Sequence, residues 1–207
     1  AEWDFMGRTF LVLSLAEMTL REPDLKADHL AVMDRIIGET LRLEKKRTMY
    51  FFLMDYARVG HFAQQPPRSL FLDGEIALML GARRLVAEQV AYKDPFVHRI
   101  RLMVQRMDQG PVLSCESYPN ECWMFCNAAA LAALRMSDAL DGTDHGRFAR
   151  RWLARARTRL VDRATGLLVS SFRYDGTFLD GPEGSSIWFV AHCLRLVDPS
   201  FAREQYN

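Results

Sequence analysis

This sequence has almost no net charge. Its 207 residues carry 27 lysines and arginines against 26 aspartates and glutamates, a formal +1. No basic field therefore points to nucleic acid, and no acidic one to cation buffering. Long apolar runs are missing too. The longest, residues 125–134, contains Asn127 and stops at Arg135, well short of the roughly 18 uninterrupted apolar residues of a membrane-spanning helix. Four cysteines are too few for a disulfide scaffold. Their intervals also miss the close pairing of a structural zinc site, so no metal is expected. The glycine patterns of phosphate-binding and dinucleotide-binding loops are absent. No signal peptide opens the chain, and neither does a methionine. Residues 1–5 enter an apolar periodic run without a cap, which points to a start lying upstream.

What is present is a globular composition, 49% apolar and 26% charged, which excludes intrinsic disorder. Helical periodicity dominates the first 160 residues. Met6, Phe10, Leu13 and Met18 recur along residues 3–20, and Pro23 closes that run. Asp28 suits the cap of a helix reaching about Lys45, with Leu30, Met33, Ile36, Ile37 and Leu41 on one face. Residues 49–56 are a short apolar segment, helix or strand. Ser69 suits the cap of a helix over 70–92, and Pro95 the first turn of the next, which Gly110-Pro111 ends. A polar loop, 114–120, leads to an apolar helix over 121–140, and Asp144 caps another through Leu160. The pattern then changes. Residues 167–174 and 177–179 flank Asp175-Gly176, a strong hairpin-turn signal. A helix over 187–197 follows, ended by Pro199, and 201–206 opens another. Seven or eight successive helices with short links form antiparallel neighbours. They predict an all-α, α/α-toroid domain spanning 1–207, incomplete in this chain, with one inserted β-hairpin. A longer parent protein, or a homo-oligomer, would cover its edges.

The densest reactive cluster lies in residues 115–127. Pro119 and Asn120 suit a helix start, so Cys122 falls in the first turn and Cys126 one turn later, on the same face. A thiol near a helix N-terminus feels the positive end of the dipole, which favours thiolate. The competing reading makes these cysteines small hydrophobes in a buried helix. Glu116 and Glu121 offer an acid/base pair, although Glu121 also suits capping. Asp73 and Glu75 interrupt an apolar run, which would let at least one carboxylate point inward, although a solvated face is the first expectation for them. His192 beside Cys193 reads either as a core histidine or as a catalytic one. His29, His61, His98 and His145 sit among charges or in loops and are expected exposed. Arg147, Arg150, Arg151 and Arg155 read as a solvated stripe.

Pro119-Asn120, then Phe125, then Cys126-Asn127 resembles the cysteine helix of linalool dehydratase/isomerase-type proteins, an α/α-barrel family. Asp4, six residues before Phe10, is similar to that family's catalytic aspartate and tyrosine. Residues 180–186 resemble a loop at such a barrel's mouth. The resemblance implies dehydration, hydration or isomerisation of a hydrophobic, isoprenoid-type alcohol or alkene, without cofactor or metal. Position by position, Asp4 matches the aspartate and Cys126 the second cysteine. Ser117 stands in place of the first cysteine and Phe10 in place of the tyrosine, with Cys115 and Cys122 close enough to substitute. One group must protonate the leaving hydroxyl and another take a proton from the adjacent carbon. Asp4 is then the base and Cys126 the acid or nucleophile. Cys122, Glu116, Ser117 and His192 are further catalytic candidates. Met6, Phe10, Tyr118, Asn120, Trp123, Phe125, Asn127, Tyr174, Glu183 and Trp188 would enclose the substrate. Two other readings stand beside this one. A carbohydrate-active toroid would use paired carboxylates and a groove of exposed Trp and Tyr. A degenerate toroid would serve only as a binding or assembly domain.

Overall fold

The computed structural model of the chain describes residues 2–206. Among them lie eight α-helices: α1 (Glu2–Arg21), α2 (Lys26–Arg47), α3 (Leu70–Val86), α4 (Val90–Gln109), α5 (Met124–Asp141), α6 (Gly146–Arg159), α7 (Gly184–Leu194) and α8 (Pro199–Tyr206). One antiparallel sheet joins β1 (Cys122–Trp123), β2 (Ser171–Phe172) and β3 (Phe178–Asp180) in that order. The protein is mostly helical, as the periodicity implies. α1, α3, α5 and α7 pack each against the next, while α2 and α4 bridge neighbouring pairs and α8 backs α7. α3 sits in the middle, and every one of its residues but Leu85 is buried. Each such Leu, Ile or Phe side chain contributes about 1.5–3 kcal/mol of burial free energy.

The buried stripe of α1 is Phe5, Thr9, Val12, Ala16 and Thr19, not the expected Met6, Phe10, Leu13 and Met18. Thr9 bonds Glu75 of α3 and Thr19 bonds His29 of α2. The neighbouring helices thus press on the small residues and turn the larger ones to the flank. Phe10 and Met18 end up exposed. Residues 49–56 are neither helix nor strand but two short 3-10 turns, Met49–Phe51 and Asp55–Arg58. Ser69 caps α3 as expected, its hydroxyl accepting from the Leu72 amide. That helix stops at Val86, six residues early. Arg83 donates to the Ala87 carbonyl and Arg84 grips Glu88 and Asp141, which holds residues 87–89 out of the helix. α4 consequently begins at Val90, and Pro95 lies in its second turn.

The expected helix over 121–140 starts three residues late. The Cys122 and Trp123 backbone pairs with β2, and the Met124 amide donates to the Ser170 carbonyl. Asp144 accepts from the Gly146 amide, although the cap position itself is His145. The hairpin turns where Asp175-Gly176 predicts: Arg173 and Thr177 pair across it. Gly176 has φ +94°, and a Cβ there would sit 2.7 Å from Val112 Cγ1, so glycine is required twice over. α7 begins three residues before the expected start, and Pro199 opens α8 as well as following α7.

Candidate functional site

A pocket of about 390 Å³ opens where five stretches of chain meet. The first turns of α1 supply Glu2, Trp3 and Met6, and α3 supplies Phe71. Met54 comes from the link between the two 3-10 turns and Tyr56 from the second of them. Tyr118 comes from the loop before β1, Trp123 from β1, and Phe125 and Cys126 from the first turn of α5. Glu183, Ser185 and Ser186 close the rim at the start of α7. Of the residues singled out in the sequence, Met6, Tyr118, Trp123, Phe125, Cys126 and Glu183 are therefore gathered here.

The loop that places Tyr118 was expected to be an ordinary polar connection. Residues 114–118 are instead wholly buried. Glu116 is 0% exposed, and its carboxylate accepts three backbone amides: Ala63 at 2.8 Å, Asn120 at 2.7 Å and Gln64 at 2.8 Å. It knits two loops together and has no free oxygen for acid/base work. Asn127 clamps the Cys115 backbone, accepting from its amide at 3.1 Å and donating to its carbonyl at 3.3 Å. Asn120 takes a left-handed turn conformation, φ +55°, and accepts from the Tyr174 amide. These two asparagines shape the loop rather than contact a ligand. Ser117 accepts from the Trp123 amide at 3.2 Å.

Several further expectations are corrected. Asp4 does not line the pocket. It stands two residues from both Glu2 and Met6, roughly 200° around the helix, and pairs with Arg8 in solvent. Cys122 lies in β1, buried and away from the pocket, so it shares no helix face with Cys126. Phe10 and His192 face a second hollow of about 670 Å³ between α1, α3, α5 and α7. Trp188 is 61% exposed and packs edge-on against Tyr206. Tyr174 donates to the Gln109 carbonyl, outside the pocket. Among the histidines, His29 is buried and His145 is half-buried on Asp138, whereas His61 and His98 are exposed as expected. The arginine stripe of α6 is solvated, as expected.

The electrostatics also depart from expectation. All four cysteines are free and buried, and burial raises every thiol above its ordinary range. Cys126 does sit at the N-terminus of α5, yet desolvation outweighs the dipole, with the Ser117 hydroxyl opposing only part of the shift. It is a neutral thiol, not a thiolate. Burial likewise holds the Tyr118 phenol protonated, reinforced by the Glu2 charge. Its hydroxyl has no hydrogen-bond partner among the described residues. Tyr118 stacks on Tyr56, ring centroids 5.2 Å apart, and Tyr56 donates to Glu121 at 2.9 Å.

Behind this wall lies the residue that sequence reasoning placed on a solvated face. Glu75 is 2% exposed, one turn of α3 beyond Phe71. Thr9 donates to its Oε2 at 2.7 Å, and its Oε1 has no partner. Burial raises its pKa to about 8, and its charge is felt at Cys126. Such a carboxyl holds its proton near neutrality and releases it within reach of ordinary pH.

No family model matches the chain, and no curated protein is similar to it. Among the described residues, no three His, Cys, Asp or Glu side chains are grouped as metal ligands, and no helix is long and apolar enough to cross a membrane. The site can offer acid–base chemistry. A protonated carboxyl and a neutral thiol lie on its buried side, and the Glu2 and Glu183 carboxylates on its open side. Between them the lining is mostly apolar and rich in aromatic rings.

Proposed function

We propose that this chain is a cofactor-free lyase or isomerase acting on a hydrophobic, isoprenoid-type alcohol or alkene, in keeping with the resemblance of its 119–127 segment to linalool dehydratase/isomerase-type proteins. The observation that carries this reading is Glu75: a buried carboxyl with one oxygen unpartnered, behind an apolar pocket that also holds Cys126. In the dehydration direction, the neutral Cys126 thiol, which lines the pocket, gives its proton to the leaving hydroxyl, and the protonated Glu75 close behind it restores that proton. The C–O bond breaks, water departs, and a rim carboxylate takes a proton from the adjacent carbon. Glu2 replaces Asp4 as the amino-terminal base. The succession α1, α3, α5, α7 with helices at their backs supports an arc of an α/α toroid as the scaffold. The second hollow, with exposed Leu20, Leu85 and Leu196 beside it, supports the expectation that another copy or another part of the polypeptide covers this arc.

The test is incubation with geraniol or linalool in deuterated water, followed by mass spectrometry. Triene formation or deuterium incorporation that is lost in Cys126→Ser and in Glu75→Gln supports the reading. No turnover and no exchange over the range of pH 5–9 overturns it.

A carbohydrate-active enzyme is the second reading, favoured by Trp3 and Tyr56, which stand exposed at the mouth beside Glu2 and Glu183. Release of reducing ends from a panel of soluble glycans, abolished by Glu183→Gln, would select it instead.

A further inference from the structure

Six of the thirteen residues lining the pocket are aromatic, against 11% of the whole chain. Trp3 and Tyr56 are exposed, Trp123 and Phe125 half-buried, and Phe71 and Tyr118 buried. Glu2 and Glu183 are the only charged side chains among the lining residues described, and no lysine, arginine or histidine joins them. That absence is notable in a chain with 27 basic residues, several of which are buried elsewhere. Arg83, Arg84, Arg99 and Arg106 are all at most 7% exposed, and none of them reaches this pocket. The Tyr118 hydroxyl, on a side chain 4% exposed, adds an oxygen with no partner among the described residues.

An aromatic ring presents a negative face, and a cation held over several such faces in a desolvated site is attracted by all of them. Carboxylates at the rim add long-range attraction and repel anions. A neutral hydrocarbon gains from the same walls only by burial. The lining therefore distinguishes ligands of one shape by their charge.

We propose that this pocket selects positive charge: it binds a small apolar organic cation of the quaternary-ammonium type more tightly than the uncharged molecule of the same shape. The inference rests on the apolar-pocket reading above and deepens it, because the carbon that loses a hydroxyl acquires positive character that the same walls stabilise. It names the feature that a substrate or inhibitor of this site has in common with such an ion.

Three probes of nearly one shape test it: phenyltrimethylammonium, its uncharged carbon analogue tert-butylbenzene, and the anion 4-tert-butylbenzoate. Binding is followed by calorimetry and by quenching of tryptophan fluorescence, which Trp3 and Trp123 report. The ammonium ion is expected to bind about tenfold more tightly than the hydrocarbon, a step of about 1.4 kcal/mol, and the benzoate more weakly than either. Trp3→Ala and Glu2→Gln alter partly or largely exposed positions and leave the core intact. Glu2→Gln should lower ammonium affinity at least threefold while changing hydrocarbon affinity less than twofold, and Trp3→Ala should lower ammonium affinity by a larger factor than hydrocarbon affinity. Equal binding of the ammonium ion and the hydrocarbon, or preference for the benzoate, overturns charge selection and leaves the apolar-pocket reading standing. Failure of all three probes to bind overturns both.

Discussion

Asp73 and Glu75 stand two residues apart on one buried helix, and the protein treats them in opposite ways. Arg99 and Arg68 both close on Asp73, and Glu44 joins them to make a four-membered ionic cluster between α2, α3 and α4. Glu75 has one threonine hydroxyl and no cation. A buried charge is normally paired, because desolvation costs several kcal/mol per ion. Asp73 obeys that rule and Glu75 escapes it by keeping its proton. The contrast separates a carboxylate that holds helices together from one that is left chemically available. Burial without a counter-charge, rather than burial alone, is what marks a carboxyl as a candidate for acid–base work.

The comparison can be broken most severely at Asp73. Asp73→Ala removes the carboxylate shared by the buried Arg99 and the half-buried Arg68 and leaves Glu44 alone to compensate both. It should cost about 3–5 kcal/mol of stability, read as a lower midpoint in urea unfolding. Glu75 should give a smaller, pH-dependent effect of the other kind. Its folded pKa, about 8, lies above the ordinary 4.5, so between those values the folded state binds more protons than the unfolded one. Its contribution is complete below pH 4.5 and is lost as pH rises through 8. Relative to Glu75→Gln, the natural protein should lose stability across that window, by an amount on the order of a few kcal/mol. Equal pH profiles for the two proteins would place Glu75 with the ordinary carboxylates. The smallest effect belongs to Asp4. Its pair with Arg8 is screened by solvent, so Asp4→Asn should change stability by less than about 0.5 kcal/mol. The same substitution should leave ligand affinity at the pocket unchanged, in contrast to Glu2→Gln.

The elements legible in the sequence were those whose signals are local. The Pro23 and Gly110-Pro111 breakers that end α1 and α4, the Ser69 cap and the Asp175-Gly176 turn all act within a few residues, and each appears where the sequence puts it. Asp28, expected to cap α2, instead lies inside that helix, which begins at Lys26 after an uncapped Leu25. Cys126, Tyr118, Trp123 and Phe125 were legible for the same reason, being close in sequence around one turn. What escaped was set by partners far along the chain. The polar loop at 114–118 is buried because Glu116 finds amides at Ala63 and Gln64, more than fifty residues away. Asp73 and Glu75 turn inward because Arg99 and Thr9 await them. The face of α1 that enters the pocket depends on which stripe α3 accepts: Glu2, Trp3 and Met6 reach it, and Asp4, roughly 200° round the helix from Glu2, does not.

Phe125 borders the first pocket, and its ring lies 4.1 Å from that of Phe189, which borders the second hollow together with Phe10. Two stacked rings are thus a bulkhead between compartments of about 390 and 670 Å³. Trimming Phe125 to alanine would join the two chambers into one continuous passage.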